Sequence, residues 1–269
     1  MKKLIIILLA MMSINTFADA KKVLYFTHEP GKWHKYSPQK EVFIKVAKEA
    51  GWDLTVSTGE HDPQIIALRN PKLTEGFDAV VYNFCFAKSK DLEAVSNVIK
   101  QTKENGVPAM VIHCSMHSFW ATFKGNNGKV TINPELQQKW KKEHPGKPFP
   151  VWGDFTGVAS TKHGPKAPIK IEKCCEHEAT KSIKPEGYTT TKAELYNNYY
   201  VTKDVKPLLN GTQTYKKKNK EVSDKAIVMW EVPQGKSKVI GLSLGHDMGE
   251  WNQPEFQSLL KDSVNYMTK

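Results

Sequence analysis

The chain has 269 residues, with 39 lysines and arginines against 28 acidic residues, for a formal charge of +11. Arg69 is its one arginine. Readers of nucleic acid rely on arginine forks for phosphates and guanine edges, so this basic balance excludes a nucleic-acid partner, and the run Lys216-Lys217-Lys218 reads as a solvated loop. The length suits one large domain.

The N-terminus carries an address. Lys2 and Lys3 precede an unbroken apolar stretch from Leu4 to Met12, and small residues follow at Ala18 and Ala20. That order predicts a signal peptide over residues 1–20, cleaved after Ala18 or Ala20, and an exported chain, periplasmic or secreted. The apolar stretch is shorter than the roughly 20 residues of a membrane span, and no later segment reaches that length, so no stable membrane insertion is expected after cleavage.

From Lys22 onward the pattern alternates. Lys22 to Thr27 reads as a buried strand, and His28-Glu29-Pro30-Gly31 as a turn. Ser37-Pro38 predicts a helix start, and Phe43, Val46, Ala47 and Ala50 recur at helical spacing up to Gly51. Leu54–Ser57, Phe77–Asn83 and Val107–Ile112 are further strands, and Leu92, Val95, Val98 and Ile99 mark a helix between the last two. Strand–helix alternation with continuous apolar strands predicts an α/β fold with a mainly parallel sheet. Residues from about 124 to 200 form an irregular elaboration, with short strands near Gly157–Ser160 and Ile169–Ile171. The sheet resumes at Ala226–Trp230 and Lys238–Leu244, and a last helix starts near Pro254.

In open α/β sheets, ligands sit beyond the carboxyl ends of the strands. The residues there are His28 and Glu29, Asn83, His113 to His117, and Gly245-His246-Asp247. His113 and His117, at i and i+4, would share one face of a helix and with His246 could hold a divalent metal such as zinc. Asp247 is placed to fix an imidazole tautomer or act as a base. In the elaboration, His163 and Glu194-Leu195-Tyr196 offer a second acid/base pair, whereas His177 reads as an exposed turn. Trp33, Trp120, Trp152 and Trp251 offer flat faces for sugar rings. Cys114 stands where an α/β nucleophile would, but Ile112 and Met116 replace the glycines of a nucleophile elbow, so a small buried thiol is the better reading. The pairing of Cys85, Cys114, Cys174 and Cys175 stays open.

These residues carry a resemblance. Val23-Leu24-Tyr25-Phe26-Thr27-His28, Asp78-Ala79-Val80-Val81, Gly106-Val107-Pro108, Val111-Ile112-His113, Phe155-Thr156-Gly157, His163-Gly164, Glu194-Leu195-Tyr196, Val228-Met229-Trp230 and Gly241 through Asp247 together resemble the ThuA-like (trehalose-utilisation) family. The resemblance spans residues 21–269. It implies a flavodoxin-like, class I glutamine amidotransferase-like three-layer sandwich and a role in carbohydrate metabolism. Where relatives have His-Pro, this chain has His177-Glu178. The expected function is a hydrolase or lyase acting on a small carbohydrate, such as an oxidised glycoside or disaccharide, and not a glutamine amidotransferase. His113, His246, Glu194 and Asp247 are the expected catalytic residues, with His28, Asn83, His163, Trp120 and Tyr196 on the substrate. The alternative is a non-catalytic carbohydrate-binding protein.

Overall fold

The computed structural model describes residues 20–126 and 129–269, so the signal-peptide reading lies outside the described residues except for Ala20. The first half runs β1 (Lys22–Thr27), α1 (Tyr36–Ala50), β2 (Asp53–Ser57), α2 (His61–Ala67), β3 (Ala79–Asn83), α3 (Leu92–Lys103) and β4 (Ala109–Ile112). The middle holds β5 (Phe123–Asn126), β6 (Lys129–Ile132), α4 (Pro134–Glu143), α5 (Trp152–Thr156), β7 (Val158–Ala159), β8 (Lys170–Lys173), β9 (Tyr188–Thr189) and β10 (Tyr200–Val201). The last part is β11 (Lys206–Lys217), β12 (Lys220–Gln234), β13 (Ser237–Leu242), α6 (Met248–Trp251) and α7 (Pro254–Met267).

Nine strands form one sheet in the order β2-β1-β3-β4-β13-β12-β11-β8-β9. Strands β2, β1, β3, β4 and β13 pair in parallel. From β13 outward, every pairing is antiparallel. The sheet is therefore mixed, which corrects the expectation of a mainly parallel one. The missed part is the long β11–β12 hairpin, of which only the apolar stretch within β12 stands out in the sequence. Its turn is Lys218-Asn219, with φ of 48° and 62°. Consecutive left-handed residues match the right-handed twist of the flanking strands.

The inner strands β1, β3 and β4 carry unbroken apolar runs because both of their faces are covered, whereas the edge strand β2 has no fully buried residue. Val23 and Tyr25 of β1 join a cluster with Phe43, Val46 and Ala47 of α1 and Leu259, Leu260 and Val264 of α7. Leu24 and Phe26 point the other way, into a cluster with Ala94, Val95 and Val98 of α3. Helix α1 ends as expected at Gly51, whose φ of 73° lets its N–H reach the carbonyls of Ala47 and Lys48. It begins one residue before the predicted cap, at Tyr36, with no side-chain cap on Lys35. The buried Tyr36 ring packs against His28 and His34, and this contact draws the extra residue into the helix.

Among the described residues, no helix is long and apolar enough to cross a membrane.

Candidate functional site

A cleft of about 500 Å³ opens at the carboxyl ends of the parallel strands, lined in part by Trp33, His34, His163, Glu194, Tyr196 and His246. The strand-end rule thus locates the site, and the irregular middle closes it. His163 and Tyr196 face each other across an antiparallel bridge, and the N–H of Gly164 donates to the carbonyl of Leu195 at 2.8 Å. That bridge brings the elaboration over the sheet edge with Glu194 aimed inward.

Glu194 is the hub. Its carboxylate lies 3.3 Å from Nε2 of His246, 3.8 Å from Nδ1 of His163 and 3.9 Å from Nε2 of His113. Only 8% of its side chain is exposed, so these contacts are made out of bulk water.

His113 follows β4 directly and takes a φ of 48°, a left-handed backbone that few non-glycine residues adopt. Its Nδ1 lies 2.7 Å from the carbonyl oxygen of Ser243. A carbonyl only accepts, so Nδ1 carries the proton and Nε2 accepts from the Tyr196 hydroxyl at 3.0 Å. Burial, with His34 nearby, holds His113 well below the usual imidazole range. The ring is neutral.

The loop bearing His246 is held from three sides. Gly245 bends it at a φ of 110°, and the Glu250 carboxylate accepts the N–H groups of Gly245, His246 and Asp247. Gln39 donates to the carbonyls of Gly245 and His246, and Trp251 donates to that of Gly245. Asp247 caps α6 in a reciprocal box with Glu250, lies 3.1 Å from Nδ1 of His246 and pairs with Lys166 at 3.3 Å. Burial pushes its carboxyl up, but His246 and Lys166 outweigh burial and leave it below the usual carboxylate range.

Sequence reasoning missed His34. It lies in the loop between β1 and α1, its ring centroid 4.9 Å from that of His113 and 4.8 Å from that of His246. Burial and the His246 charge push it down to about 3, so it too is a neutral donor ring. Its loop does follow a strand end, and that was the available signal. No motif spacing singles it out.

Several expected residues lie elsewhere. Asn83 is buried, donating to Tyr25 and to Oε1 of Gln39, and so braces the chain behind the cleft rather than lining it. His28 is packed among Tyr36, His61 and Phe86, and its Nε2 accepts from the N–H of Cys85. Trp120 lines the cleft beside the exposed Trp33, whereas Trp152 and Trp251 belong to the core. His177 is not an exposed turn: its side chain is 7% exposed and its Nδ1 accepts from the N–H of Ala179. Cys114 is bonded to Cys85, leaving Cys174 and Cys175 as free thiols. The Ser115 hydroxyl donates to the Tyr82 carbonyl and accepts from the N–H of Phe84, which ties it into the backbone.

The metal set also changes. His113–His117 is a 3-10 turn. At three residues per turn, i and i+4 do not share a face. His117 instead packs on the Tyr196 ring at 4.2 Å. His34 takes its place: ring nitrogens of His34, His113 and His246 lie within 4.8 Å of one another. Three imidazole nitrogens at that spacing suit a divalent ion such as zinc, and the carbonyl on Nδ1 of His113 is the usual outer partner of a metal-binding ring. An ion there would displace the Tyr196 hydroxyl from Nε2.

A profile of the ThuA family, described as trehalose utilisation, matches residues 22–267. No curated protein matches the sequence. Among solved structures, the chain is similar to a ThuA-like protein from Bacteroides uniformis, with a TM-score of 0.62, 17% identity and 93% of each chain covered. It is similar to another from Parabacteroides merdae, with a TM-score of 0.63 and 14% identity over 93% of this chain and 90% of that one. A cytoplasmic protein of Salmonella typhimurium aligns with a TM-score of 0.59 and 10% identity, over 92% of this chain and all of its own. At such identities the structural likeness is one of fold. Since the profile runs from β1 to the end of α7, the chain belongs to the ThuA, or trehalose-utilisation, family.

Proposed function

We propose that this is an exported enzyme of carbohydrate metabolism that cleaves an oxidised glycoside or disaccharide by elimination or hydrolysis, on a three-layer, glutamine amidotransferase-like scaffold. The observation that carries this reading is the Glu194 carboxylate, out of bulk water and within 3.3–3.9 Å of three imidazoles. A sugar bearing a ring carbonyl has an acidic proton on the neighbouring carbon. Glu194 removes that proton as the base, and His163 delivers one to the departing glycosidic oxygen. The C–H and C–O bonds break as a C=C bond forms, so no nucleophile is needed. A divalent ion on His34, His113 and His246 supplies Lewis acidity to the carbonyl oxygen when bound.

Trp33, 65% exposed on the cleft wall, and Trp120 present the flat apolar faces on which sugar rings stack. Together with the family's trehalose-utilisation description, they support a carbohydrate as the small-molecule partner.

The test is turnover of glycosides and of their ketone-oxidised forms by the exported chain, with metal analysis of the same sample. Cleavage of the oxidised form, abolished in Glu194→Gln, is the expected result. Tight sugar binding without turnover, unchanged in that variant, would make this a carbohydrate-binding protein instead. Recovery of a cytoplasmic chain that still begins at Met1 would overturn export.

A further inference from the structure

We propose that the reduced form of the chain holds a thiophilic divalent metal ion on Cys85, Cys114 and His34, in the wall of the cleft. Cys85 follows β3 and Cys114 follows β4, and these strands pair in parallel, which brings the two Cα atoms to 5.1 Å. Both cysteines line the cleft together with His34. The sulfurs and a ring nitrogen of His34 lie within 4.8 Å of one another. An independent sign is the Nδ1 atom of His34, which is buried and has no hydrogen-bond partner. Two thiolates and one imidazole form a set that zinc accepts with a fourth position left for water or a ligand, and the open side of the cleft supplies that position.

In the structure the two sulfurs are joined, so in this form they are withheld from a metal. A dithiol reductant passes two electrons and two protons to the S–S bond. It leaves as a cyclic disulfide, and Cys85 and Cys114 become thiols. An incoming divalent ion then displaces both thiol protons to solvent. Because His34 also belongs to the all-histidine set, an ion on the sulfurs withdraws one ligand from that set. The redox state of the pair therefore selects between a nitrogen site and a sulfur-rich one.

Cobalt(II) titration tests this, because a thiolate–cobalt bond gives a charge-transfer absorption in the near ultraviolet that imidazole–cobalt bonds lack. The titration is run on a Cys174→Ser/Cys175→Ser background, since those adjacent free thiols would also take cobalt. After anaerobic reduction with a phosphine, one equivalent of cobalt is expected to produce the band. The oxidised chain should show none. His34→Ala should weaken cobalt binding by at least about tenfold, the cost of losing even an outer partner of a ligand. Cys85→Ser should abolish the band, and alkylating the thiols of the reduced parent must do the same without any substitution. A reduced chain with no band, or a band that survives alkylation, would overturn the proposal. The readout is independent of whether any sugar is turned over.

Discussion

Glu194 gathers most of the imidazoles in the cleft, so its substitution separates chemistry from structure most cleanly. Glu194→Gln keeps the shape and removes the base; turnover of the oxidised glycoside should fall by about 10²–10⁴-fold, the usual worth of general acid–base catalysis. The thermal midpoint should stay within a few degrees, and an unchanged rate would remove Glu194 from the chemistry. Tyr196→Phe makes a different cut. It strips the donor from Nε2 of His113, a ring that is 2% exposed. An unpartnered buried acceptor costs about 1–3 kcal/mol. A urea midpoint equal to that of the parent would show that Nε2 finds another partner. His113 and His246 were legible because they follow strand ends, and Glu194 because it offers, with His163 in the irregular middle, a carboxylate–imidazole pair over the sheet edge. His34 was not, since nothing in Gly31–Lys35 distinguishes a histidine that reaches the cleft from one in solvent. Its role is created by Tyr36, His113 and His246, which converge on it from three separate elements.

Among the elements, the β11–β12 hairpin separates what the sequence states from what the sheet decides. Strands β1, β3 and β4 carry continuous apolar runs because they are buried on both faces, and such runs stand out. Beyond its buried part, the hairpin carries Thr214 to Asp224, still paired but largely exposed and rich in lysine. With both faces in water, no period-2 signal survives there, and the lysine run passes for a loop. Its turn still has a checkable requirement. Asn219 sits at a φ of 62°, and a left-handed backbone costs an ordinary L-residue roughly 1–2 kcal/mol. Asn219→Ala should lower stability by about 1 kcal/mol, and Asn219→Gly should hold or raise it, in paired denaturant titrations. Equal losses in both variants would mean that the asparagine side chain, not the backbone, matters.

At the scale of the whole molecule, buried imidazoles set how the fold answers to acid. Burial pushes His28 and His117 down to about 4, and His34 to about 3. An unfolded histidine takes up its proton near 6.5. Between those values the unfolded chain binds more protons, so this stabilisation is complete above about pH 6.5 and is lost on the way down to pH 4 and 3. Glu250 opposes it. Burial pushes its carboxyl up to about 7 despite the backbone N–H groups that favour its charge. Its contribution is full below the unfolded value of about 4.3 and fades as the pH rises through 7. With three imidazoles against one carboxyl, the urea midpoint should drop steadily from pH 6 to pH 5; a rise over that interval would contradict the neutral histidines.

The place of β13 sets an order of events during synthesis. This strand is made after the eight others of its sheet, yet it lies between β4 and β12 and is the seam between the parallel and antiparallel halves. Until residues 237–242 leave the ribosome, β4, paired only with β3, and β12, paired only with β11, each keep one bare edge. The centre of the sheet is thus the last part of it to be finished.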